Sequence, residues 1–141
     1  MIKKGFTLLE LVIVVVVVGL LLSVVIGMFS AKETAKTATI QQQILQIKKS
    51  VDDYMRANGL AMYNALGNNN TFKPKLEQFI GTKLPKNPYS RDYQVFGDTN
   101  GLTIRTDTGS NETCSPVAKR LKNSASNVTC NGGQLSVTWS D

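Results

Sequence analysis

The sequence predicts an α+β chain: one long N-terminal helix laid across a small antiparallel sheet. Three observations predict it. From Leu11 to Phe29 no side chain is charged, and only Ser23, Gly19 and Gly27 interrupt the apolar ones. Further on, Ile40, Ile44, Ile47, Val51 and Tyr54 recur at spacings of four and three, which makes one stripe on a helix. Near the C-terminus, Leu135, Val137 and Trp139 alternate with polar residues, the period of a half-buried strand.

The first apolar run is roughly 29 Å long as a helix at about 1.5 Å per residue. A bilayer's hydrocarbon core is about 30 Å thick. In lipid only a helix satisfies its own backbone polar groups, so the valines do not argue against one here. Lys3 and Lys4 precede the run and are expected to stay on the cytoplasmic side. One acid, Glu10, stands at its mouth. A carboxylate beside hydrocarbon is costly, so its presence argues for a specific partner. An ordinary secretory signal peptide fits poorly. Its apolar core is about 7–15 residues and ends in small residues, whereas this run is longer and ends at Phe29. A plain signal anchor has no use for Glu10.

The stretch KGFTLLELVIVVVVVGLL resembles the N-terminus of a type IV pilin precursor. The matching pieces are a short basic leader, Gly5, Phe6, Glu10 four residues later, and a long aliphatic helix with Gly19. The resemblance implies the pilin fold and cleavage by a membrane-embedded prepilin peptidase between Gly5 and Phe6, followed by N-methylation of Phe6. It also implies that Glu10 neutralises the Phe6 amine of a neighbouring subunit during assembly at an inner-membrane platform. It covers about the first 30 residues, and Gly27 stands where many pilins carry proline. The chain then divides into a leader (1–5), a transmembrane and assembly helix (6–29), its amphipathic continuation (30–58) and a globular head (59–141).

Net charge is +6, hydrophobic content is 42% and there is no histidine. The missing histidines exclude His-based triads, His metal ligands and a His general base. With no nucleophile–base pair, phosphate loop or metal constellation in the sequence, neither catalysis nor a cofactor is expected.

The second helical segment, Ser30 to about Asn58, lacks proline and glycine. Leu45 and Met55 are expected to widen its stripe. Its other side carries the four-apart pairs Lys48–Asp52, Lys49–Asp53 and Asp52–Arg56. Asn58-Gly59 is a stop, with Gly59 left-handed past the helix end. The whole helix from Phe6 is expected to be about 80 Å long. Too short for a persuasive coiled-coil seam, the stripe is read as facing the head.

From Leu60 to Asp92 the pattern is irregular. Asn68-Asn69-Asn70 reads as a loop, and Leu76, Phe79 and Ile80 as a short helical turn. Pro85 and Pro88 hold an extended or turn segment in which Lys83, Lys86 and Arg91 cluster. Solvated loop charge is the plainer account of these cations, and a subunit contact or anion site the sharper one. Three strands are expected, at Tyr93–Phe96, around Leu102–Ile104, and over Leu135–Trp139. Trp139 is expected to cover the core.

Between the last two strands lie Cys114 and Cys130. In an exported domain two cysteines read as one disulfide, and the loop's position and size resemble the D-region of type IV pilins. Ser115-Pro116 is expected to open a short helix, with Val117 and Leu121 inward. Lys119, Arg120 and Lys122 point out, a candidate contact for an anion, a partner or DNA, since some type IV pili take up DNA. Three cations in a loop are more often solvated charge. The triplets at Asn111 and Asn127 match a glycosylation pattern by chance.

The expected function is that of a pilin: a structural subunit that leaves the bacterial inner membrane, with its head in the periplasm, for a helical homo-oligomeric filament outside the cell. The alternatives are a pseudopilin of a type II secretion system and a membrane-anchored binding protein that never polymerises.

Overall fold

The computed structural model describes the backbone of residues 7–141 and the side chains of residues 7–21 and 34–141. The leader with Lys3 and Lys4, the Gly5–Phe6 junction, and the side chains of the apolar run beyond Leu21 lie outside the described residues. Two compact units are present, one up to Ala35 and the other Lys36–Asp141. Helix α1, Leu8–Ala57, supplies residues to both.

In the first unit the aliphatic side chains from Leu8 to Leu21 are 48–79% exposed. Among the described residues no helix is long and apolar enough to cross a membrane. The run expected to do so reaches into residues whose side chains are not described.

In the second unit the helical stripe is core. Ile40, Ile44 and Val51 are fully buried, with Ile47 and Met55 nearly so and Tyr54 partly buried. Leu45 instead faces solvent. It lies only one residue from Ile44, about 100° around a helix of 3.6 residues per turn, which carries it off the buried face. Lys48 pairs with Asp52, while Arg56 pairs with Asp53 at 3.6 Å rather than with Asp52. Asp52 is already occupied: its Oδ1 accepts from the Tyr63 hydroxyl at 2.9 Å and its other oxygen from Lys48. The helix ends in a Schellman motif. The Leu60 N–H reaches the Met55 carbonyl at 2.9 Å, and Gly59 sits at φ 68°.

The segment after α1 is more ordered than its sequence suggests. A short 3₁₀ turn, Tyr63–Leu66, precedes α2, Asn69–Ile80. Asn69 and Asn70 are thus helical rather than looped, because Asn68 caps the helix by accepting from the Thr71 N–H at 3.0 Å. Phe72 and Leu76 are the buried side of α2, and Phe72 meets Tyr54 edge-on at 5.2 Å. The following loop is organised by buried Asn87. Its amide donates to Thr106 Oγ1 and the Asp107 carbonyl, and its Oδ1 accepts from the Tyr89 and Arg91 N–H groups.

The sheet has four antiparallel strands in the order β1-β2-β4-β3. They are β1 Tyr93–Asp98, β2 Gly101–Asp107, β3 Asn127–Asn131 and β4 Gln134–Trp139. Strand β3 adds to the three that alternation predicts. It is a short edge strand in which Val128 and Cys130, partly buried, alternate with Asn127, Thr129 and Asn131, a period-two signal that sequence reasoning missed. Tyr93, Val95, Leu102, Ile104, Leu135, Val137 and Trp139 share one core with the α1 stripe. A helix on an antiparallel sheet buries both apolar faces at once.

Three groups in this unit set its alkaline limit. Burial and the Asp52 acceptor raise the Tyr63 hydroxyl above its usual value, and burial raises Tyr93 strongly. Burial works against the Lys48 ammonium, but its hydrogen bonds to Asp52 and Tyr63 win and hold it above the ordinary lysine value. Each such group contributes stability that is complete below its unfolded value and disappears as pH climbs towards its folded one. Equilibrium unfolding in urea is therefore expected to show a midpoint that is flat to about pH 9.5 and falls above pH 10. A second expectation concerns Gly97, where an added Cβ would lie 1.8 Å from the Tyr63 carbonyl oxygen. Gly97→Ala is expected to cost about 1–3 kcal/mol in the same measurement.

Candidate functional site

The first site is the start of α1. Thr7 precedes the helix, and its Oγ1 accepts from the Glu10 N–H at 3.1 Å. In return, Glu10 Oε2 accepts from the Thr7 N–H at 3.3 Å. This is a reciprocal capping box, in which the first and fourth residues satisfy each other's free backbone donors. The Thr-Leu-Leu-Glu spacing carries that signal in the sequence, and sequence reasoning missed it by assigning Glu10 to a neighbour alone. The carboxylate faces the positive end of the helix dipole, which offsets part of the cost of standing beside an aliphatic run. Gly5 and Phe6, the expected cleavage and methylation residues, lie outside the described residues.

The second site is the C-terminal loop. Helix α3 spans Asn111–Leu121, and Ser110 is its cap, reciprocated by Thr113. The helix therefore opens before Ser115-Pro116, and Pro116 falls inside it. Ser110 wins because Thr113 provides the return bond, giving two satisfied donors. The buried side is Cys114, Val117 and Leu121. Cys114 is joined to Cys130 on β3, with Cα atoms 6.0 Å apart. The bond fastens α3 to the outermost strand.

Lys119, Arg120 and Lys122 all face solvent. Lys119 and Lys122 come together at a depression of about 400 Å³ that also meets Ser126, Asn127 and Val128. Arg120 is not part of that lining. Lys83, Lys86 and Arg91 are exposed on the loop that Asn87 pins. Among the described residues no group of His, Cys, Asp or Glu side chains is arranged to hold a metal ion.

Residues 1–26 match the prokaryotic N-terminal methylation motif. A curated relative of the chain is the type II secretion system core protein G of Pectobacterium carotovorum subsp. carotovorum. The two are 29% identical over 106 residues, and the match spans 66% of each chain. The chain thus covers just under two thirds of that relative's length. No solved structure matches it.

The chain-entropy model assigns about 3 kcal/mol to a loop of this size. Replacing both cysteines by serine is expected to lower unfolding stability by that amount, read as a reduced urea midpoint without loss of helix signal in circular dichroism.

Proposed function

We propose that this chain is a structural subunit of a type IV pilus, and not an enzyme. Prepilin peptidase cuts it between Gly5 and Phe6 and methylates Phe6. The precursor waits in the inner membrane with its head in the periplasm. An assembly platform then adds it to a helical filament in which the Leu8–Phe29 helices bundle. The single observation carrying this reading is the N-terminal motif with Glu10 placed inside it. The exposed aliphatic surface of Leu8–Leu21 supports it, because such a surface in water needs lipid or further copies to cover it. So does the C-terminal loop closed by Cys114–Cys130.

The capping box adds a mechanism. Before assembly, Glu10 accepts one neutral hydrogen bond from its own chain. A neighbour's Phe6 ammonium offers a charge-assisted bond, roughly twice as strong, so the carboxylate changes partner as the subunit docks. In dry surroundings either charge left alone is expensive, which draws each incoming subunit into register.

A second reading, a type II secretion pseudopilin, is favoured by the relationship to protein G. The two predict different products. Electron microscopy of cells carrying the natural gene is expected to show surface filaments containing this chain. Filaments confined to the periplasm, together with loss of protein secretion on deletion, would establish the pseudopilin instead.

Glu10→Ala is expected to be cut normally, giving a mature mass that starts at methylated Phe6, but to enter filaments poorly. Glu10→Gln retains the capping acceptor and removes the charge. It is expected to incorporate at least tenfold less well than the natural chain, with its helix content unchanged. Normal filaments from Glu10→Gln would refute the charge role, and an uncut N-terminus would refute the pilin reading altogether.

A further inference from the structure

The outer face of the sheet, turned away from the core, is not used by any step above. It holds a depression of about 550 Å³, within the size range of ligand sites. Its floor is built from hydroxyls on three strands, chiefly Thr103, Thr129, Ser136 and Thr138. Thr103 is only 6% exposed, and its hydroxyl lies 3.2 Å from that of Thr138 across the β2–β4 pair. Arg105 stands over this floor. Its guanidinium lies 5.2 Å from the centre of the Phe96 ring, and its Nε donates to Ser136 Oγ at 3.0 Å. Stacking on one side and a hydrogen bond on the other hold the fork in place, leaving its terminal N–H groups for a planar anion.

Asp98 lines the same depression. It is on the rung of Gly101, four residues along β2 from Arg105, or roughly 13 Å at strand rise. The face therefore offers a fixed cation at one end, an acceptor at the other, and hydroxyls that both donate and accept between them. Ser126 and Asn127 also border the Lys119–Lys122 depression, so the surface continues around β3 onto two more cations.

We infer that this face binds an acidic polysaccharide, a glycan in which carboxylate-bearing sugars are interspersed with neutral ones. Arg105 takes a sugar carboxylate as a forked pair. The threonine and serine hydroxyls exchange hydrogen bonds with ring hydroxyls. Asp98 accepts from a neutral sugar, and Lys119 and Lys122 attract the next carboxylate along. Nucleic acid suits the face less well, because a phosphodiester backbone only accepts hydrogen bonds and Asp98 repels it. The whole surface belongs to one copy of the head, so binding does not depend on polymerisation or on which filament the chain builds.

The test is calorimetric titration of the full chain in detergent micelles with a hyaluronate hexasaccharide, in which glucuronate alternates with a neutral sugar. A neutral chitin hexasaccharide and a single-stranded DNA 20-mer serve as comparisons. Saturable binding of hyaluronate is expected, at least tenfold tighter than either comparison and weakened by added salt. Arg105→Gln and Arg105→Lys are each expected to weaken it at least tenfold, since the lysine keeps the charge but loses the fork. The double variant Lys119→Gln, Lys122→Gln, remote from Phe96 and Ser136, is expected to weaken it about threefold with an unchanged thermal melt. Absence of saturable binding at millimolar hyaluronate, equal binding of the chitin hexasaccharide, or preference for DNA would each overturn the inference. Full affinity in a folded Arg105→Gln or Arg105→Lys would do so as well. If the Arg105 variants do not fold, full affinity in the lysine double variant overturns it.

Discussion

The head depends on a stripe one side chain wide. Ile40, Ile44, Ile47, Val51 and Met55 lie on one line of α1 and form the longest apolar face in the core that the inner sheet residues share, beside the shorter faces of α2 and α3. Fully burying one such side chain contributes about 1.5–3 kcal/mol. Four short strands, one of them only five residues long, are at the size where a sheet needs a packed face to persist. Removing the helix would therefore strip the sheet of its longest packing face. It follows that the second half of α1 is part of the head and not a stalk beneath it.

The first half of the same helix obeys a different rule. Its aliphatic residues cover the full circumference, so no arrangement of one copy buries them all. Their exposure in the chain taken singly is the signature of a surface made for lipid or for other copies. Glu10 is admitted to that surface because its own backbone provides a partner through Thr7. In the proposed assembly the same carboxylate exchanges this neutral capping bond for a stronger, charge-assisted one.

The disulfide and the Tyr63 network secure the margins. Cys130 lies on the edge strand β3, which pairs only with β4. Without the bond to Cys114, that strand would keep only its ladder and a little buried surface. At the other margin, Asp141 Oδ1 accepts from the Tyr63 N–H at 2.7 Å, while Tyr63 reaches back to Asp52 on α1. Asp141 is thereby tied to the turn that follows the helix.

Much of this was legible before any coordinates. The long helix, its Gly59 stop, the core stripe, the inward Val117 and Leu121, and the α+β architecture all follow from periodicity, because period and burial are two expressions of one geometry. Other elements were misread for reasons that are also physical. Asn68-Asn69-Asn70 looked like a loop because asparagine favours turns, yet the same chemistry makes Asn68 a cap. Ser115-Pro116 imitated a helix start that Ser110 and Thr113 in fact provide. By itself, then, the sequence determined the motif at the N-terminus, the helix and the apolar faces, since each is a pattern within one segment. Only the tertiary structure decided that Arg105 lies between Phe96 and Ser136, that Lys119 and Lys122 border the same surface, and that Asn87 pins its loop to β2. Those are contacts between segments far apart in the chain, set by strand order and register, which no local pattern encodes.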